Sequence, residues 1–416
     1  MKKPRSINTE LVTEIIESSL STEGNLGDLI ERMCTRLRRH VTSVERVHVS
    51  FIPHHPQLRV GVLQWSPGST VGWGHVSWPD EVRSPVYRKN PLYALRHGLT
   101  DEIRIRLGRS KSTERYRLTQ SLAEEGFTDF FGVALAGGYV APITMTFMTR
   151  AIHGFSDVEL RSLRTFAWAS QPAFQRETLR ELASTICSTY IGKEAGHRVV
   201  CGEMRRGQSS RMEAVVWFSD LRGFTPLAQT VSEEKLIQYL NIFFDTVGQC
   251  IEENGGEILK FIGDAILAVF PYDGAERARE ACDAAVRSAL VCLETLDALN
   301  EERLKRNEPT LRAGIGLHRG EVVYGNIGTT SRLDFTVLGQ PVNLASRIES
   351  KCSEIGEFLL VSSTVASATS MALTSRGTHR LRGIQTPVEL FGLPPDRVFE
   401  SSKAPQQVVA MPHEQS

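Results

Sequence analysis

At 416 residues the chain is too long for one compact core, and at about 150 residues per domain it divides into two or three, with two the simplest reading. Lysine plus arginine (48) equals aspartate plus glutamate (48), so charge gives no reason to expect nucleic acid or an anionic membrane as the main partner, and binding must reside in a local site. The seven cysteines (Cys34, Cys187, Cys201, Cys250, Cys282, Cys292, Cys352) are scattered without a C-x-x-C pair, and no signal-like apolar run opens the chain, so a reducing cytoplasm is the expected location.

In chain order, NLGDLIERMCTRLRRHV predicts a helix whose buried face is Leu26, Leu29, Ile30, Met33 and Leu37. Arg36, Arg38 and Arg39 lie mostly off that face and read as solvated rather than as a phosphate patch. VERVHVSFI alternates as a half-buried strand, and LRVGVLQW follows after a turn at His54 and His55, which carry no metal-ligand spacing. Residues 130 to 148, FFGVALAGGYVAPITMTFM, come nearest to a membrane span, but Gly137, Gly138 and Pro142 divide them into two buried strands joined by a turn, so no span is expected. Ser156 and Glu159 form an S-x-x-E box that starts a helix. A further helix over 174–191 carries a stripe of Leu179, Leu182, Ile186 and Tyr190, suited to pairing with a second copy or to packing on the preceding domain.

The second half holds the chemistry. AVVWFS reads as a buried strand that runs into Asp220, and a charge there is costly unless something neutralises it. LRGFTPLAQ follows, then a helix that Thr230 and Glu233 would cap as T-x-x-E. Backbone N–H groups over the turn at Gly223 make a cradle for phosphate oxygens. GEILKFIGDAILAVF reads as a hairpin turning at Gly263-Asp264, which brings Asp264 toward Asp220 if the strands are neighbours. Two adjacent carboxylates repel unless divalent cations join them; singly, each is an ordinary turn or helix-entry residue. LRAGIGLHRGEVVYGNIG reads as two strands about a turn at Arg319-Gly320, with His318 structural. In DFTVLGQPVNLASRIES, Pro341 opens a helix on which Asn343 and Arg347 share one face, placed to hold a sugar and a phosphate or simply to be surface polar residues.

FSDLRGFT, GGEILKFIGDAILAVF, GIGLHRGEVVYGNIG and DFTVLGQPVNLASRIE, in that order, resemble the catalytic domain of class III nucleotidyl cyclases, the adenylate and guanylate cyclase family. The resemblance covers about residues 205–395 and implies an α+β fold, a ferredoxin-like palm that works as a homodimer with active sites at the interface. Strands framed by two helices within residues 1–172 resemble a GAF-like α/β sensor domain in element order alone. Residues 173–200 would then be a helical transducer linker, and 396–416 a disordered polar tail.

Carried over position by position, the resemblance implies Asp220 and Asp264 as ligands for two Mg²⁺ or Mn²⁺ ions per active site. It implies the backbone of Leu221, Arg222, Gly223, Phe224 and Thr225 as the triphosphate loop, Asn343 as the ribose-orienting residue and Arg347 as the transition-state cation. Lys260 and Thr336 fall at the base-reading pair, where guanylate-specific members pair Glu with Cys, so ATP is the implied substrate and cyclic AMP the product. The C-terminal triphosphate lysine of some members is replaced by Ile384, with Arg382 or Arg332 left to take its role. The partners so implied are ATP, a second copy and an unknown regulator of the N-terminal domain. A silent nucleotide-binding regulator and a guanylate cyclase are the alternatives.

Overall fold

The computed structural model describes residues 8–20, 25–51, 58–77, 90–108, 116–135, 143–395 and 397. Its chain divides into two compact units, Met1–Ile186 and Cys187–Ser416.

The first unit opens with helices α1 (Thr9–Leu20) and α2 (Leu26–His40). A reciprocal capping box starts α2, with Asn25 accepting from the Asp28 amide at 3.1 Å and Asp28 accepting from the Asn25 amide at 2.8 Å. Its predicted apolar face is buried in full. Strands β1 (Arg46–Phe51), β2 (Leu58–Trp65) and β3 (Gly72–Ser77) are followed by α3 (Pro91–Arg96), β4 (Glu102–Arg106), α4 (Arg117–Glu124), β5 (Asp129–Leu135) and β6 (Ile143–Thr149). They form one six-stranded sheet in the order β3-β2-β1-β6-β5-β4, antiparallel throughout. β5 and β6 are buried along their whole length, as the reading of 130–148 as two strands expects. The turn at Gly137 and Gly138, the histidines His54 and His55, and the tail beyond residue 397 lie outside the described residues.

Ser156 and Glu159 do form the cap of the next helix, but that helix, α5 (Asp157–Ile191), runs for 35 residues through Pro172 instead of breaking into two. Ala167, Ala173 and Phe174 on either side of the proline are buried in the same core, and that packing outweighs the one backbone hydrogen bond a proline removes. The helix therefore crosses the border placed at residue 172 without interruption. Among the described residues no helix is long and apolar enough to cross a membrane.

The second unit continues with α6 (Lys193–Val200), β7 (Ser209–Leu221), α7 (Phe224–Thr230), α8 (Glu233–Glu253), β8 (Glu257–Ile262), β9 (Ala265–Tyr272), α9 (Gly274–Lys305) and β10 (Ala313–Gly328). After it come β11 (Leu333–Leu338), α10 (Gln340–Ile355), β12 (Leu359–Ser362), α11 (Ser363–Ala366), β13 (Thr374–His379) and β14 (Val388–Gly392). The β7-α8-β8-β9-α9-β10 succession with spatial order β10-β7-β9-β8 is the β-α-β-β-α-β ferredoxin-like arrangement. β12, β14 and β13 extend the sheet beyond β10, and β11 folds back on β10 as a hairpin. From Ala214 to Trp217 β7 is buried on both faces, Val215 and Trp217 against α8 and α9, Ala214 and Val216 against the layer that includes β11 and α10. That is why its sequence is a continuous apolar run rather than an alternating one.

Two local expectations are corrected. Arg319-Gly320 is not a turn: β10 is one sixteen-residue strand, paired with β7 from Ala313↔Leu221 to Gly325↔Ser209. Gly316 and Gly320 are there because α10 lies almost on the strand. A Cβ at Gly316 would stand 2.5 Å from both the Ala345 carbonyl oxygen and the Glu349 nitrogen, and one at Gly320 would stand 2.6 Å from the Pro341 ring. The cap of α8 is Ser232, whose hydroxyl accepts from the Lys235 amide, whereas Thr230 closes the short α7 by donating to the carbonyls of Pro226 and Leu227. Gly223, left-handed at φ 73°, starts that extra helix, so the chain reaches its second helix start two residues later than the T-x-x-E pattern suggests.

Candidate active site

Asp220, next to last in β7, is in register with Ala265, the residue after the hairpin turn at Gly263 and Asp264. Pairing of β7 with β9 therefore brings the two carboxylates within hydrogen-bonding reach of each other. Burial, and then the neighbouring Asp264, push the Asp220 carboxyl up to about 7, partly opposed by the Leu221 amide and Arg222. Asp220 Oδ1 is buried without a hydrogen-bond partner. A buried, unsatisfied carboxylate oxygen beside a second carboxylate is costly to keep and is the donor set of a hard divalent cation, so the residues present fit Mg²⁺ or Mn²⁺.

A third carboxylate stands behind this pair. Glu349 of α10 is buried, and its carboxyl is pushed up to about 7, first by burial and then by Asp220. It fits there because Gly314, the β10 partner of Asp220, has no side chain: a Cβ on it would lie 2.5 Å from Glu349 Oε1 and 3.2 Å from Arg222 Nε. Arg222 is the cation of this cluster. Its guanidinium donates to the Glu357 carbonyl and lies 4.9 Å from the centre of the Phe358 ring.

Of the five backbone amides in the Leu221–Thr225 loop, that of Leu221 is directed at the Asp220 carboxylate and that of Arg222 donates to the Arg312 carbonyl at 2.8 Å. The amides of Gly223, Phe224 and Thr225 open α7, whose start has no side-chain cap.

Lys260 of β8 and Thr336 of β11 reach one region of the second unit, but the group that Lys260 Nζ meets is the carboxylate of Asp334. Thr336 is buried and, two residues on from Asp334, shares its face of β11. Asn343 and Arg347 are exposed on one face of α10, while Leu344, Ala345, Ile348, Glu349 and Cys352 are buried on the other. Ile384 packs beside Leu381 and Val388 on the cluster of Leu344 and Ile348, so that position serves the core, and Arg382 and Arg332 are exposed. His318 is structural as expected, with Nδ1 2.8 Å from Ser362 Oγ and burial, then Arg319, lowering it to about 4.

Sequence reasoning missed Glu349 and Asp334. The signal for Glu349 was a charge inside the apolar stripe of α10, and for Asp334 a carboxylate two residues from Thr336, hence on its side of the strand.

Residues 208–394 match the family described as adenylate and guanylate cyclase catalytic domain. The chain is 38% identical over 163 residues to an adenylate cyclase of Anabaena cylindrica, covering 38% of this chain and 31% of that protein. It is 28% identical over 207 residues to adenylate cyclase 1 of Rhizobium meliloti (strain 1021), covering 49% of this chain and 30% of that protein. It thus spans less than a third of the length of either relative. Among solved structures, the adenylyl cyclase CyaB from P. aeruginosa aligns at 29% identity with a TM-score of 0.42, over 46% of this chain and 98% of that one.

Proposed function

We propose that this chain, whose residues 208–394 are an adenylate and guanylate cyclase catalytic domain, converts ATP to 3′,5′-cyclic AMP and pyrophosphate at a site completed by a second copy of itself. The observation that carries the reading is the Asp220–Asp264 pair with its unsatisfied buried oxygen, at the mouth of an uncapped loop.

In the reaction the ribose 3′-hydroxyl gives up its proton to solvent, an O3′–Pα bond forms, and the bond from Pα to the bridging oxygen breaks as pyrophosphate leaves with the electron pair. Asp220 and Asp264 would hold two divalent cations, which when bound supply Lewis acidity at the attacking and leaving oxygens. The amides of Gly223, Phe224 and Thr225, together with the rest of the Leu221–Thr225 loop, receive the polyphosphate. Asn343 fixes the sugar so that the 3′-oxygen faces phosphorus, and Arg347 donates charge-assisted hydrogen bonds that strengthen as negative charge builds. Lys260 donates to adenine N1 and Thr336 accepts from the N6 amino group; guanine reverses both edges.

Asn343 and Arg347 point outward and are set to act on a nucleotide held by the aspartates of another copy. Two exposed apolar features support that pairing. Phe261 (52% exposed) and Ile262 (46% exposed) flank the Asp264 turn, and the α5 stripe of Leu179, Ile186 and Tyr190 is open to solvent. A paired α5 would let the first unit, whose element order is GAF-like, govern the alignment of the two catalytic domains and so the activity, in response to a regulator of unknown chemistry.

The test is cyclic nucleotide formation by the purified protein with Mn²⁺, comparing ATP with GTP, alongside Asp220→Ala and Asp264→Ala. Cyclic AMP from the wild type and none from either variant upholds the reading. A folded dimer that binds ATP and makes neither cyclic nucleotide refutes it in favour of a silent regulator, and a preference for GTP refutes the base assignment.

A further inference from the structure

The buried face of α10 consists of Leu344, Ala345, Ile348, Cys352 and one charged residue, Glu349, which is 7% exposed. The charged groups that face it are Asp220, Arg222 and Asp264. Three carboxylates thus share one guanidinium, and that guanidinium is already engaged by the Glu357 carbonyl and the Phe358 ring. A buried glutamate in such company costs stability, so packing alone does not account for it. Its place is nevertheless built into the sheet. Gly314 stands directly across from Asp220, and side chains opposed in this way start about 5 Å apart on one face. Glu349 Oε1 lies 2.5 Å from where a Gly314 Cβ would stand. A side chain at that position would come between the two carboxyls, and glycine leaves the way open.

We infer that Glu349 is a positioning residue of the metal centre in its own chain, where its carboxylate accepts hydrogen bonds from water that Mg²⁺ or Mn²⁺ keeps when held by Asp220 and Asp264. The inference rests on the reading of those aspartates as metal ligands and deepens it. Hard cations bound through one or two carboxylates keep several waters, and a carboxylate one layer out orients them and raises affinity for the ion. The role divides α10 between two centres. Its inner face serves the aspartates of its own chain, while Asn343 and Arg347 on its outer face serve the nucleotide of another copy in the proposed reaction. A substitution at Glu349 therefore acts at one site of a pair and not at the other.

The variants are Glu349→Gln, which keeps the shape and removes the charge, and Glu349→Asp, which keeps the charge. Binding of Mn²⁺ to the full chain without nucleotide is followed by electron paramagnetic resonance at one fixed pH, a readout that needs no turnover. The Gln variant is expected to lose about tenfold or more in Mn²⁺ affinity with a metal-free melting temperature no lower than the wild type's, and the Asp variant to recover part of the affinity. A second measurement places the effect. In a mixed pair of Asp220→Ala and Arg347→Ala chains, the intact site takes its aspartates from the Arg347→Ala chain. Adding Glu349→Gln to that chain should lower cyclic AMP formation at limiting Mn²⁺ about tenfold, and adding it to the Asp220→Ala chain should leave it unchanged. Unchanged Mn²⁺ affinity in the Gln variant overturns the inference, as do equal losses from either chain, which would assign Glu349 to the packing of α10. A wild type that binds no Mn²⁺ overturns both the inference and the metal reading beneath it. A wild type that makes no cyclic nucleotide, yet binds Mn²⁺ and loses it on Glu349→Gln, refutes the proposed reaction and leaves the role of Glu349 standing.

Discussion

Gly314 stands across from Asp220 in the β7–β10 ladder, and the space its missing side chain leaves is filled by the carboxylate of Glu349. Two glycines of β10 therefore govern how α10 approaches the aspartates, and they should respond differently to alanine. At Gly316 the new methyl meets backbone on both sides, at 2.5 Å from the Ala345 oxygen and the Glu349 nitrogen, so the helix must move. Gly316→Ala is expected to cost about 1–3 kcal/mol in denaturant unfolding. At Gly314 the obstacle is the far end of the Glu349 side chain rather than backbone, and Gly314→Ala should cost less than Gly316→Ala in the same measurement.

The carboxyls of Asp220 and Glu349 are both pushed up to about 7, above their unfolded values near 4, so the folded chain holds more protons than the unfolded one between those limits. Stability of the metal-free protein from these groups is full below the unfolded values and falls as pH rises through about 7. The melting temperature without metal should drop between pH 5 and pH 8, Mn²⁺ should raise it more at pH 8 than at pH 5, and Asp220→Asn should flatten both effects. A melting temperature that rises over that interval in the metal-free wild type would be the wrong sign for this cluster.

Base preference should follow hydrogen-bond polarity. Lys260→Glu with Thr336→Cys replaces the ammonium donor by a carboxylate acceptor, which can receive the N1–H and amino protons of guanine. The pair of substitutions should lower ATP turnover and raise GTP turnover relative to it, read as the ratio of kcat/KM values. Because Lys260 also pairs with Asp334, Lys260→Glu alone sets two carboxylates together and should be the less active single variant with either nucleotide.

The elements around the aspartates were legible because their signals are local. The apolar run before Asp220, the Gly263-Asp264 turn and the proline that opens α10 each announce themselves within a few residues. What was hidden depends on distant chain. Gly320 looks like a turn residue beside Arg319, but its pairing with Ala214 carries the strand straight through, and the Pro341 ring against it accounts for the missing side chain. Pro172 looks like a helix end, and only the shared burial of Ala167 and Phe174 explains why α5 continues. Asp334 and Glu349 owe their places to strand pairing and helix packing respectively, so a reading of motifs passes over both.

The central claim is that one copy supplies Asp220 and Asp264 while another supplies Asn343 and Arg347. It is tested most directly by mixing two inactive variants, Asp220→Ala and Arg347→Ala, under conditions that exchange subunits, and measuring cyclic AMP formation. Each variant alone should lose about a hundredfold or more of the activity. In a twofold-symmetric dimer a mixed pair has one site with both defects and one site with none, so an equal mixture at random pairing should recover roughly a quarter of wild-type turnover. A mixture no more active than its parts, with exchange verified, would contradict the account and place all four residues in one chain's own site.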